Sequence, residues 1–306
     1  MSYKTICSLN LRNQPLISPI TLIHILPKGA LIEKIIDSEV MGWWKVTVPS
    51  IGNLEGFISS KYVERVEDIQ TEPIVFPQFP NIIKPHLNPR PGSEIRRNSV
   101  NGRAFPLNEP IRPNREGIDL SSKISSIYRI IDFLDVKNSK RYGPTVTNTY
   151  CNIYAYDYCY LCNVYLPRVW WVPKAINSIM NNIAVPIIYA ETVREMNANS
   201  LFDWLNEFGT DFGWRRVFTM EEIQQNVNNN GSVGIICAKN INSNHSGHIT
   251  CIIPEDVSKG YRSKMEGGKI VAPLQSQAGR INLKYFSSNW WSNPSKFRAF
   301  GFWIND

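Results

Sequence analysis

Nine of the chain's 20 prolines fall between residues 68 and 117, at positions 73, 77, 80, 85, 89, 91, 106, 110 and 113. Proline fixes φ and removes a backbone donor, so this density forbids long helices and central strands there. The stretch is read as a Pro-rich basic linker, and it splits the 306 residues into two unequal parts, each long enough for a core of its own. Ile74-Val-Phe76, Phe79 and Ile82-Ile83 are too apolar for a freely solvated connector, which predicts that some of it packs on a neighbour.

Residues 1–67 read as short strands: Thr21-Leu-Ile-His-Ile-Leu26, Leu31-Ile-Glu-Lys-Ile-Ile36, Trp43-Trp-Lys-Val-Thr-Val48 and Glu55-Gly-Phe-Ile58. Turn chemistry at Pro27-Lys-Gly29 and Pro49-Ser-Ile-Gly-Asn53 separates them, which predicts a small β-barrel. From Ile118 the pattern changes. Ser121 to Leu134 places Ile124, Ile127, Ile131 and Leu134 on one helical face behind a Ser cap. Cys151–Cys162 and Asn199–Phe208 read as further helices, and Val233–Ala238, His248–Ile253, Lys269–Ala272 and Ala299–Ile304 as strands. Helices first and an antiparallel sheet after predict an α+β domain over 118–306.

The net charge of +7 concentrates in Lys84–Arg115, with Arg90, Arg96, Arg97, Arg103 and Arg112. That surface would attract a polyanion or simply aid solubility, so charge alone decides nothing. Six cysteines, mostly inside apolar runs, do not make a disulfide framework and fit synthesis in a reducing compartment. The start Met1-Ser-Tyr-Lys-Thr-Ile-Cys-Ser has no apolar stretch after a basic head, and no segment approaches the roughly 20 apolar residues of a membrane span. A chain made in the cytoplasm without a signal peptide, with no stable membrane insertion, is expected.

Cys151 follows the turn-rich Gly143–Thr149 and opens a helix, where free N–H groups and the positive end of the dipole stabilise a thiolate. The base it needs is His245 or His248, the two histidines of this part. His248 begins an apolar strand after Gly247 and is preferred, whereas His245 sits in an Asn/Ser loop. The paired tryptophans Trp170-Trp171 and Trp290-Trp291, in expected loops, suit the walls of a sugar-peptide groove, with core packing the competing role. Cys159 and Cys162 form a C-x-x-C with no second pair, better read as buried side chains than as metal ligands. No P-loop, dinucleotide fingerprint or His-Glu-x-x-His is present, so no cofactor, no metal and no nucleic-acid partner is expected.

Leu9-Asn-Leu-Arg12, Gly42-Trp-Trp-Lys-Val46 and Gly56-Phe-Ile-Ser-Ser-Lys-Tyr-Val63 together resemble the bacterial SH3-type domain found beside cell-wall hydrolases. That resemblance implies an aromatic groove for wall peptides and a ligand role for Trp43 or Trp44, one of which should be core because strand neighbours face opposite ways. Asn138-Ser-Lys-Arg-Tyr142, Thr149-Tyr-Cys-Asn-Ile-Tyr-Ala-Tyr-Asp157, Met196-Asn-Ala-Asn199, Gly213-Trp214, Gly247-His-Ile249 and Gln277-Ala-Gly279 resemble, in that order, papain-like amidases of the CHAP and NlpC types over residues 120–304. The resemblance implies that Cys151 attacks an amide carbonyl, that His248 carries the proton and that a third group orients the imidazole. Gln277 is the first choice for that group, with Gln275 and Glu255 as alternatives. Tyr150 through its hydroxyl, with the Cys151 N–H, is a candidate oxyanion donor. Asn152 and Asp157 anchor the helix or touch substrate.

These implications make the chain a peptidoglycan amide hydrolase, delivered as an antibacterial effector into the periplasm or wall of a rival cell, or acting as a phage-type lysin. Peptidoglycan and an inhibitory immunity protein are the partners such a role implies. A non-catalytic wall-binding protein, and a papain-like toxin that deamidates or acylates a host protein, are the competing functions.

Overall fold

The computed structural model describes residues 2–51, 53–65 and 82–306. Two compact units divide the chain at Gln78/Phe79. Among the described residues no helix is long and apolar enough to cross a membrane.

The first unit contains β1 (Ser2–Thr5), β2 (Leu9–Arg12), β3 (Leu22–Leu26), β4 (Leu31–Asp37), β5 (Trp43–Val48), β6 (Leu54–Ser59) and β7 (Val63–Arg65). They form one antiparallel sheet in the order β3-β2-β6-β5-β4-β1-β7. Alternation decides what is buried: Leu9 and Leu11 on β2, Val46 and Val48 on β5, and Ile32 and Ile58 make the core. Between β3 and β4, Gly29 takes a left-handed φ of +85°, open to glycine at no cost. Arg12 is buried behind β2, where its guanidinium donates to the Ser18 carbonyl at 2.6 Å and the Thr21 hydroxyl at 3.1 Å.

The second unit contains α1 (Leu120–Leu134), α2 (Cys151–Leu161), β8 (Val169–Trp171), α3 (Pro173–Met180), β9 (Val193–Glu195), α4 (Ala198–Glu207), β10 (Arg215–Val217) and α5 (Met220–Asn230). After these come β11 (Val233–Asn240), β12 (His248–Ile252), β13 (Lys264–Glu266), β14 (Lys269–Ala272), β15 (Gln275–Gln277), β16 (Leu283–Phe286) and β17 (Phe297–Asn305). The main sheet runs β10-β17-β11-β12-β15-β16, with all its pairings antiparallel. Helix α2 packs on β12, α4 on β11, and α5 on β11 and β17. This is an α+β architecture of helices on an antiparallel sheet.

Helix α1 is capped by Asp119, whose carboxylate accepts from the Ser122 N–H, and not by a serine as its sequence suggests. Ile127, Ile130, Ile131 and Leu134 are its buried apolar residues, while Ile124 is half-buried at the edge of that face. Helix α2 is different: nine of its 11 residues are buried, so it has no wet face and runs through the interior.

The proline-rich segment falls partly within the second unit. Pro73, Pro77, Pro80, Ile74–Phe76 and Phe79 lie outside the described residues; from Ile82 onward the segment is packed down, with Ile82, Ile95 and Leu107 buried and Ile83 exposed. Without regular structure, it satisfies its polar groups through side chains. Asn108 accepts from the Ile95 N–H at 2.6 Å, and Glu109 pairs with Arg97 at 3.1 Å. Arg97 also donates to the Phe133 carbonyl, Arg103 to the Arg141 carbonyl at 3.0 Å and Arg115 to the Gly231 carbonyl at 3.0 Å. Several arginines of the basic run are therefore spent on backbone carbonyls.

Candidate active site

Helix α2 begins without a side-chain cap: Tyr150 stands at the N-cap position, its carbonyl accepting from the Ile153 and Tyr154 N–H groups at 3.1 and 3.0 Å while its side chain bonds none of the first turn. The N–H groups of Cys151 and Asn152, ahead of the first of these bonds, are left without a side-chain cap. The thiol is 3 % exposed, and the backbone N–H groups of Ile249, Asn152 and Cys151 itself favour its ionised form. Burial raises the thiol pKa above its ordinary value, while these N–H groups and the Lys296 ammonium pull it back in part. The Ile249 N–H is free for this because the β12–β15 ladder pairs Cys251 with Ser276 and Ile252 with Gln275, beyond it along β12.

His248 opens β12 opposite Ala238 of β11. Gly247 brings it there through a passage too tight for any side chain: a Cβ on Gly247 would overlap the Ala238 carbonyl oxygen. The imidazole Nε2 meets Gln277 Oε1 at 2.7 Å. At the other end of that amide, Gln277 Nε2 donates to the Ile281 carbonyl at 3.3 Å, which turns the oxygen towards the ring. An amide oxygen can only accept, so Nε2 of His248 carries the proton and Nδ1 keeps its lone pair. Burial lowers the imidazole pKa to about 4, the Gln277 hydrogen bond opposes this, and Lys296 adds to it. Burial thus favours the neutral form of the thiol and of the imidazole alike.

Trp290 covers this assembly, its ring centroid 4.6 Å from that of His248 in an edge-on arrangement. Its indole N–H donates to Gln275 Oε1 at 2.9 Å, and the same oxygen accepts from Thr250 at 2.9 Å. Gln275 therefore holds the cover in place and does not touch the imidazole. Glu255 is further from the role, since its carboxylate accepts from Asn228 at 2.7 Å and from the Ser263 N–H at 2.6 Å. Of the three orienters considered from sequence, Gln277 is the one against His248.

Against protein-family models the chain finds no match, and it finds none among the curated proteins.

The other residues singled out from sequence separate into anchors, core and cover. Asn152 donates to the Met196 carbonyl at 2.8 Å and ties the start of α2 to the segment before α4. Asp157 is fully buried and accepts from Arg141 at 2.6 and 3.1 Å and from the Tyr142 hydroxyl at 2.8 Å. Tyr150 is half-buried, with the Arg103 guanidinium 3.6 Å over its ring. Trp170 and Trp171 are not loop residues: they lie in β8, 5 % and 4 % exposed, because a run of three apolar residues there is covered on both faces. Their accessible edges border a cavity of about 420 Å³ shared with Ile176, Met196, Trp204 and Glu207. Trp291 packs in the core against Phe302.

Cys159 and Cys162 are buried on α2, and all six cysteines are free thiols. In the first unit both Trp43 and Trp44 are half-buried, which corrects the expectation of one core tryptophan. Trp44 shares the face of Val46 and Val48 but stops at its margin, where it meets Tyr3 at 4.7 Å and the Lys34 ammonium at 4.5 Å. Sequence reasoning passed over the Ile249 N–H, the cover built by Gln275 and Trp290, and Lys296. The Gly247-His248 step was the one signal in the chain for the first of these, since a glycine ahead of an apolar strand marks close backbone approach.

Proposed function

We propose that this chain is a peptidoglycan hydrolase that cuts an amide of the wall peptide by a Cys–His mechanism, in a papain-like unit preceded by an SH3-type wall-binding unit. The observation that carries the reading is the hydrogen bond between His248 Nε2 and Gln277, which leaves Nδ1 unprotonated on the residue next to Ile249, whose N–H lowers the Cys151 thiol pKa. In the first step Cys151 Sγ bonds to the carbonyl carbon as its proton passes to Nδ1 of His248. The C–N bond then breaks, and the imidazolium returns the proton to the departing amine, leaving a thioester. Water attacks the thioester, again giving its proton to Nδ1, and the carboxylic acid leaves as the thiol re-forms.

Gln277 holds the ring in the productive tautomer throughout, and Trp290 keeps water off the hydrogen bond. The uncapped N–H groups of the α2 start supply charge stabilisation for sulfur and oxyanion, with Tyr150 beside them. Trp43 and Trp44 of the first unit are the proposed contacts to wall peptide, and delivery into a rival cell, with an immunity protein in the producer, is the proposed setting.

Incubation of purified sacculi with the protein should release soluble muropeptides. Cys151→Ala should release none, and Gln277→Ala should lower kcat/KM by about a hundredfold at little change in KM. Equal absence of fragments from the unaltered protein and Cys151→Ala would refute the enzyme.

A further inference from the structure

Three cations stand on the segments around Cys151 and His248, and they differ in what their donors do. Arg103, stacked on Tyr150, donates to the Arg141 carbonyl at 3.0 Å and the Lys140 carbonyl at 3.2 Å. Arg280, three residues past Gln277, donates to the Thr145 and Val146 carbonyls at 2.7 and 2.9 Å. These two arginines therefore brace the loop that leads into the nucleophile. Lys296 is exposed and makes no ion pair among the described residues; its ammonium lies 5.3 Å from the centroid of the Phe297 ring.

The sheet register decides where Lys296 stands. Asn240 at the end of β11 pairs with Phe297 at the start of β17, and Ala238 pairs with His248 at the start of β12. Lys296 and His248 thus flank the same end of β11, two strand spacings or roughly 10 Å apart across the sheet and offset by about three residues along it. The Ile241 N–H bonds to the Lys296 carbonyl at 2.9 Å and pins this corner. A stack of rings joins the two positions: Phe297 lies 5.3 Å from Trp290, which lies 4.6 Å from His248. Lys296 is also the one charged side chain whose field reaches both reacting groups, working against burial at Cys151 and with it at His248.

We propose that Lys296 is the receptor for a carboxylate of the substrate, so that the peptide cut at Cys151 carries a negative charge beside its scissile amide. This rests on the hydrolase reading and narrows it to acidic peptides, such as stem peptides whose γ-linked glutamate or diamino acid keeps a free carboxylate. A lysine suits the role because its ammonium is a mobile point charge on a flexible stem, able to follow a carboxylate into place.

Haloacetates test the receptor without any assumption about the natural substrate. Iodoacetate and iodoacetamide both alkylate Cys151 with loss of iodide, and they differ by one negative charge. In the full-length protein the ratio of the two rates, read by mass spectrometry of the Cys151 peptide, should fall about three- to tenfold in Lys296→Met and be kept in Lys296→Arg. Raised salt should shrink the ratio of the unaltered protein towards that of Lys296→Met. A ratio unchanged in a Lys296→Met or Lys296→Gln protein of native circular dichroism overturns the proposal. With muropeptides, KM for the free acid should rise in Lys296→Met relative to KM for its amidated form, whereas any change in kcat through the thiol and imidazole should be the same for both substrates. Fragment release with no such split overturns the receptor and leaves the hydrolase. A fall in the haloacetate ratio without any fragment release keeps the receptor and removes the hydrolase.

Discussion

His248 is held neutral by its surroundings, with consequences for folding as well as for chemistry. In the unfolded chain a histidine titrates near 6.5, whereas here the value is about 4, set first by burial. Between those two values the unfolded chain binds a proton that the native fold refuses, so stability is complete above about 6.5 and is lost as pH falls towards 4. Urea titrations should show this group contributing a loss of about 1–3 kcal/mol between about pH 7 and pH 4. His248→Gln should have a correspondingly shallower pH slope; identical slopes would mean that the ring is solvated in the native state. The acid limb of kcat/KM should likewise lie well below that of a free imidazole, because the base stays unprotonated as far down as about pH 4.

At the scale of elements, the position of Cys151 depends on how α2 is gripped. The helix is buried nearly all round, so its register along the sheet is set by a few polar groups, among them Tyr154, whose hydroxyl meets Ser276 at 2.6 Å, and Tyr158, which donates to the Ile252 carbonyl at 3.2 Å. Asn152 fixes one end through the Met196 carbonyl, and the Arg141–Asp157 pair fixes the middle. Arg141 spans further, donating to the Phe105 carbonyl at 2.8 Å and the Gly102 carbonyl at 3.3 Å, which straps the proline-rich segment across the helix. Both members of the pair are fully buried, so removing one strands a charge in the interior. Arg141→Met should cost about 3–5 kcal/mol in urea unfolding, and the double change Arg141→Met with Asp157→Leu should recover a substantial part. A loss below 1 kcal/mol, on the order of an exposed pair, would show that the charges are solvated.

For the molecule as a whole, two compact units imply that the site can be carried by one of them. The unit beginning at Phe79 contains every residue assigned a chemical role, together with the packed part of the proline-rich segment. A chain of residues 79–306 should fold and alkylate at Cys151 at the full-length rate. A chain of residues 118–306 lacks the buried Leu107 and Ile95 and the Arg97–Glu109 tie, and should melt lower and less cooperatively. Equal melting temperatures for the two would make the segment a passive connector.

Periodicity in the chain was enough for four of the seven strands described in the first unit, for the helices read at 121–134 and 151–162, and for the α+β arrangement, because alternation and 3.6-residue spacing are local properties; β1, β2 and β7 are too short to show it. It was enough, too, to mark Cys151 as a helix-start thiol and His248 as the head of a strand. Tertiary structure decided the rest. Gln277 was one of three polar candidates until a turn of backbone at Ile281 aimed its oxygen at the ring. Trp170 and Trp171 looked like loop residues and proved to be a buried strand. Nothing in the string separates a proline-rich linker from a proline-rich strap, since both lack regular structure; the strap is distinguished by which distant carbonyls its arginines find. The partners in each case lie far apart along the chain, and only folding makes them neighbours.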